Sequence, residues 1–116
     1  MAEEGGRALL GRTGEDRAAA WYTARGYEVV ARNWRCPAGE IDLVARRNRL
    51  VAVVEVKTRT SDAFGAPVEA VVRDKQKRLR RLAAMWLKES GVRGVRLRFD
   101  VVSVLGGTVE VLEDAF

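Results

Sequence analysis

Apolar residues recur at two spacings along this chain, and the changes between them mark its elements. Thr13 can cap a helix whose first turn carries Glu15 and Asp16. Ala18, Ala19, Trp21 and Tyr22 then supply an apolar face, and Gly26 a stop, so the pattern predicts a helix over about Thr13–Arg25. Met1–Leu10, rich in glycine and charge, reads as a loose lead-in ahead of a single domain over 11–116. The period then changes to that of strands. Tyr27–Trp34 is the first; Glu40–Arg46 alternates Glu40 and Asp42 with Ile41 and Leu43; Leu50–Thr58 is a dense valine run, the pattern of a central strand covered on both faces. Arg47-Asn48-Arg49 is a turn in which Asn48 can adopt the left-handed conformation. Arg59–Ala66 has no periodicity and is expected to be a mobile loop. Pro67 opens a long helix to about Glu89, with Val68, Val72, Leu79, Leu82, Ala83 and Trp86 on one face and Gly91 at its end. Arg96–Val104 and Thr108–Leu112 are further strands joined at Gly106-Gly107.

The order is α-β-β-β-α-β-β. Short connections let the first three strands form an antiparallel meander. The long helix must then carry the chain back as a right-handed crossover, which makes a mixed central sheet flanked by helices, an α/β layered fold. With 116 residues there is room for one such domain. Uncharged apolar stretches such as Leu50–Val54 are far too short to span a bilayer. No apolar region follows a basic start, so a cytoplasmic protein without membrane association is expected.

Two counts restrict the chemistry. A single cysteine, Cys36, excludes an internal disulfide and a C-x-x-C knuckle. The histidine count of 0 removes Ser-His-Asp and Cys-His catalysis, histidine-held zinc and any imidazole base. What is left is carboxylate, lysine and arginine chemistry with a hard metal ion. The net charge of +5 attracts polyanions, of which nucleic acid is the commonest in a cell.

The informative residues lie on the second and third strands. A hairpin centred between Asn48 and Arg49 sets Arg47 against Leu50, Asp42 against Glu55 and Glu40 against Lys57, and alternation puts these four charged side chains, Glu40, Asp42, Glu55 and Lys57, on one face. Opposed side chains have Cβ atoms roughly 5 Å apart, and like charges there are destabilising. Either one acid takes a proton or a cation sits between them. Magnesium or manganese suits that place, because such ions accept oxygen ligands, commonly one or two carboxylates with water and phosphate completing the shell. Lys57 could orient the attacking water or neutralise charge developing on phosphorus, so the set suits phosphodiester hydrolysis. The plainer alternative is a solvated strand face with an ordinary Glu40–Lys57 ion pair. The metal site is carried forward because these acids stand on strands that are otherwise so apolar.

Gly11-Arg12-Thr13-Gly14-Glu15, Asn33-Trp34-Arg35, Gly39-Glu40-Ile41-Asp42-Leu43, Val54-Glu55-Val56-Lys57-Thr58-Arg59, Lys75-Gln76 and Arg98-Phe99-Asp100-Val101 together resemble the bacterial YraN-like family over about Gly11–Val104. The resemblance implies a restriction-endonuclease-like fold of the PD-(D/E)XK type, related in architecture to archaeal Holliday-junction resolvases. On that pattern Asp42 is the strand acid, Glu55-Val56-Lys57 the (D/E)-X-K element, and Glu15 a first-helix acid added to the metal shell. Ile41 stands where the pattern has proline. Without the resemblance, Glu15 reads as an acid favoured by the helix dipole. The family brings no established substrate.

Arg73, Lys77, Arg80 and Arg81 form a basic stripe opposite the apolar face of the second long helix, suited to phosphate contacts, and Arg59 at the loop start is counted with them. A solvated helix face is the alternative. Lys75 falls amid the apolar positions, where it either snorkels outward or reaches toward the acids; the second is preferred. Asp100 is expected to hydrogen-bond structurally, Trp21, Trp34 and Trp86 to pack in the core, and Cys36 to have no role. The expectation is a Mg²⁺- or Mn²⁺-dependent nuclease acting on structured or branched DNA, with a homodimer as a reasonable assembly. The alternatives are a nucleic-acid-binding module without turnover, acting with a partner protein, and a structural adaptor.

Overall fold

The valine run is a central strand, because both of its faces have an apolar layer to meet. In a computed structural model describing residues 2–59 and 73–116, with side chains described over 13–58 and 73–116, it forms β3 (Leu50–Arg59). β1 (Glu28–Cys36), β2 (Gly39–Arg47) and β3 make the expected antiparallel meander. After α2 (Arg73–Ser90), β4 (Arg96–Leu105) lies parallel to β3, and β5 (Thr108–Leu112) closes the sheet in the order β1-β2-β3-β4-β5. Asn48 at the β2–β3 turn has a φ of 55°, as a tight left-handed turn requires.

The two faces are covered by different helices. α1 (Ala2–Ala24) places Ala18 and Tyr22 against Leu43, Ala52, Val54 and Val102. Leu79, Leu82, Ala83 and Trp86 of α2 pack on Ile41, Val44, Val53 and Val101 on the other face. Burying each large side chain contributes about 1.5–3 kcal/mol, which is why the helices stay on the sheet. α1 begins at Ala2, upstream of the expected Thr13 start and across the stretch read as a lead-in. Gly5, Gly6 and Gly11 hid the helix-forming Ala8, Leu9 and Leu10 from a propensity reading. β3 and β4 each run one residue past the expected ends, to Arg59 and Leu105. Most of the Arg59–Ala66 loop and the Pro67–Val72 start of the second helix lie outside the described residues.

One local departure creates the site. The β2–β3 ladder stops at Leu43↔Val54, while β3 continues beside β4 to Arg59↔Leu105 and β2 continues beside β1 to Cys36↔Gly39. The strands therefore part at Asp42 and Glu55. Ile41 belongs to the core under α2 but Leu43 to the core under α1, so the period-2 alternation slips by one residue at Asp42. Asn33, which falls between the pairs Arg32↔Leu43 and Trp34↔Ile41, has a φ of 50° and takes up the matching twist.

Gly14 marks where α1 crosses the far end of β3. A Cβ there would sit far inside contact distance of Thr58 Oγ1. Gly14→Ala is therefore expected to destabilise by about 1–3 kcal/mol despite alanine's better helix propensity. Urea denaturation checks this, with Gly14→Ala/Thr58→Ala expected to recover most of the loss. Equal losses in the single and double variants would rule out the steric cause.

Candidate functional site

Beyond Val54, β3 has no β2 rung, and a side chain takes its place: Val56 N–H donates to Asp42 Oδ2 at 2.8 Å. The gap between the strands opens into a cavity of about 230 Å³ walled by Gly39, Glu40, Asp42, Glu55, Lys75 and Arg78 and floored by Leu79 and Leu82 of α2. Glu55, 8% exposed, has its Oε1 within 2.5 Å of Lys75 Nζ and 3.2 Å of Lys57 Nζ. Lys75 thus extends from the apolar face of α2 onto the acids, the direction preferred from helical spacing.

The charges perturb each other strongly. Burial and then the charge of Glu55 push Asp42 up to about 7, with Glu15 and Glu40 adding to the rise and the Val56 hydrogen bond opposing it. Burial and the neighbouring Lys75 lower Lys57. Burial works most strongly against the charge on Lys75, but its hydrogen bonds to Glu55 and Lys57 and the charges of Glu55 and Asp42 together outweigh this, and Lys75 is raised. Two ammonium groups on one carboxylate are thereby differentiated, one readier to lose its proton and one more firmly charged.

Several expected placements need correction. Asp42 and Glu55 share the cavity but are not a ladder pair, because the ladder ends one step before them. The expected Glu40–Lys57 opposition is not formed. Glu40 pairs with Arg35 across β1–β2 at 3.0 Å instead, since β2 keeps its β1 partner after leaving β3. Arg73, Lys77, Arg80 and Arg81 are all exposed on α2 as the stripe requires, and the Arg80 guanidinium also lies over the rings of Phe99 and Phe116, at 4.8 and 5.5 Å. The Arg59 side chain lies outside the described residues. Arg78, in the cavity wall, was missed; its signal was its place one helical turn after Lys75. Asp100 has the structural role expected of it, accepting from Tyr22, Arg98 and the Asp114 N–H.

Glu15 is close enough for its charge to act on Asp42, and its Oε2 is buried with no hydrogen-bond partner among the described residues. Among the described residues no three carboxylate or thiol groups converge into a ready-made metal cage, so Asp42, Glu55 and Glu15 are not one. An acid cluster that holds Asp42 near neutrality and leaves a carboxylate oxygen orphaned still fits a hard divalent cation. Such an ion keeps several waters and needs only one or two carboxylates. Asp42 and Glu55 are the residues placed to hold it, with Glu15 beside them. No helix among the described residues is long and apolar enough to cross a membrane.

A family model described as "Uncharacterised protein family UPF0102" matches residues 14–104. A UPF0102 protein of Beutenbergia cavernae is 57% identical over 96 residues, covering 83% of this chain and 81% of that one. One from Nocardia farcinica is 50% identical over 105 residues, covering 90% of this chain and 83% of its own length. One from Moorella thermoacetica is 46% identical over 117 aligned positions, covering 95% and 97%.

Proposed function

The chain belongs to the uncharacterised protein family UPF0102, and from that premise we propose that it is a metal-dependent nuclease with a PD-(D/E)XK-type site on a restriction-endonuclease-like fold. The family description names no activity, so the reading rests on the site. The observation carrying it is the meeting of Asp42, Glu55 and Lys57 where β2 and β3 part, with Lys75 and Arg78 on the opposite wall.

Asp42 and Glu55 would hold Mg²⁺ or Mn²⁺, which when bound supplies Lewis-acid activation of a phosphate oxygen and of water. The protein's own groups do the remainder. Lys57, lowered by burial and by Lys75, is suited to accept a proton from the attacking water or to hold that water in line. Lys75, kept charged, and Arg78 are suited to grip the scissile phosphate and offset its growing charge. Leu79 and Leu82 limit water below, which strengthens these interactions. Exposed Arg73, Lys77 and Arg81 extend the positive surface along which a DNA backbone would lie. Branched or flapped DNA remains the proposed substrate, with a homodimer gripping it in the cytoplasm.

One observation favours a binding module without turnover: Glu55 is already neutralised by two lysines. The full chain incubated with labelled single-stranded, duplex and branched DNA separates the readings. Cleavage with Mg²⁺ or Mn²⁺ but not EDTA is expected, with Lys57→Met slower by about 10²–10³-fold at unchanged circular dichroism. Binding without cleavage in every metal supports the module. Neither binding nor cleavage ends both.

A further inference from the structure

A second hollow lies beyond the proposed nuclease site, between the end of β1 and the C-terminal half of α2. It has a volume of about 490 Å³ and is lined by Trp34, Cys36, Met85, Lys88 and Glu89. We propose that it receives an unstacked nucleobase, so that the neighbouring acid–lysine site acts on a nucleic-acid strand with unpaired bases; this rests on the nuclease reading above.

The two cavities adjoin. Cys36 and Gly39 form the last pair of the β1–β2 ladder, and one lines the hollow while the other lines the acid site. α2 spans both, with Lys75, Arg78 and Leu82 in one wall and Met85 and Lys88 in the other. At 1.5 Å of rise per residue, Arg78 and Met85 are about 10 Å apart along the axis, a span of a few nucleotides.

The walls have the chemistry of a base site. The half-buried Trp34 indole is held by its own N–H, which donates to Glu89 Oε2 at 3.0 Å, so an aromatic surface is fixed rather than free to collapse. Met85, 37% exposed, offers a polarizable thioether on the opposite side. An apolar slot with an aromatic wall gains stacking from any base, whereas bases within a duplex are already stacked and out of reach. The charge around the hollow identifies the class of ligand. Lys88 stands in its wall and exposed Lys77, Arg78 and Arg81 lie along the same helix toward the acid site, while Glu89, an acid in the same stretch, is engaged with Trp34. A polyanion carrying flat apolar groups matches that combination.

Binding to a short fluorescein-labelled oligothymidylate in EDTA, which keeps cleavage out of the measurement, tests this by anisotropy. A ribo-oligonucleotide arm distinguishes DNA from RNA as the source of the strand. The strand with bases is expected to bind about tenfold or more tightly than an abasic strand or a duplex. Trp34→Ala should lose about 10–100-fold of that affinity and Trp34→Phe no more than about threefold, with duplex binding unchanged. Because Trp34 also touches the core, the exposed Met85→Glu is the second variant, expected to weaken strand binding with an unaltered thermal melt. Equal affinity for abasic and base-bearing strands overturns the inference, as does a wild-type dimer that shields Met85 and ignores the oligonucleotide. Metal-dependent cleavage without base preference sinks this proposal alone. Base-selective binding without cleavage in any metal sinks only the nuclease reading.

Discussion

Asp42→Asn is expected to slow metal-dependent cleavage by about 10²–10⁴-fold while making the metal-free protein more stable at pH 8. The two effects have one cause. The folded chain raises Asp42 from 3.8 to about 7, first through burial and then through the charge of Glu55. Below pH 3.8 the carboxyl is protonated in both folded and unfolded chains, and its favourable contribution is fully present. Between 3.8 and about 7 the unfolded chain has given up the proton while the folded chain retains it, so stability declines as pH rises through this window. Above pH 7 the whole penalty applies, on the order of 2–4 kcal/mol with allowance for partial exposure. Asparagine keeps an oxygen to accept from Val56 N–H and carries no charge, so the variant should lack that slope. Urea denaturation in EDTA at pH 5 and pH 8 checks this. Mg²⁺ should raise the melting temperature of the wild type at pH 8 and barely move the variant. Identical pH slopes in the two proteins would refute the account of the acid cluster.

Asp100→Ala is expected to produce the largest loss of stability, about 3–5 kcal/mol, with cleavage per folded molecule unchanged. Asp100 is 1% exposed and holds Arg98 through two bonds of 2.8 and 2.7 Å. It also accepts from Tyr22 Oη at 2.6 Å and from the Asp114 N–H at 3.0 Å. Burial and the adjacent Asp100 push the Tyr22 hydroxyl well above the ordinary tyrosine range, so it remains a donor. Removing the carboxylate leaves the Tyr22 hydroxyl and the Asp114 N–H without their acceptor and the half-buried Arg98 guanidinium with only Tyr27 and Glu113, and loosens α1, β4 and the C-terminal segment together. For a domain whose total stability is about 5–15 kcal/mol this is a large share. Tyr22→Phe, which removes a single donor, should lose only about 1–2 kcal/mol. A loss below about 1 kcal/mol for Asp100→Ala in equilibrium unfolding would show that the network is not needed.

Much of this was legible in the order of residues. The element sequence, the β1–β3 meander and the left-handed Asn48 follow from local signals that the tertiary structure leaves unopposed. The acids at Asp42 and Glu55 were identifiable because charge on so apolar a pair of strands demands a partner. Their mutual geometry was not. Strict alternation assumes that a hairpin pairs to its end, whereas β3 is held over its whole length by β4, a strand about fifty residues away in the chain. That long-range pairing lets β2 turn aside with β1. It replaces the expected Glu40–Lys57 opposition with Glu40–Arg35 and gives Asp42 a backbone donor in place of a facing side chain. Arg80 illustrates the same limit on a helix: spacing set it in the exposed basic stripe, where it stands, but could not show that β4 and the C-terminus bring Phe99 and Phe116 beneath its guanidinium.

A carboxylate that stands in for a missing rung of the sheet makes one amide proton a gauge of its charge. The Val56 N–H resonance should shift with a midpoint near 7, the value to which Asp42 is raised, and should move again when a divalent ion is added. In Asp42→Asn that resonance should ignore both. A single nucleus would then register the state of the acids in solution with no substrate present.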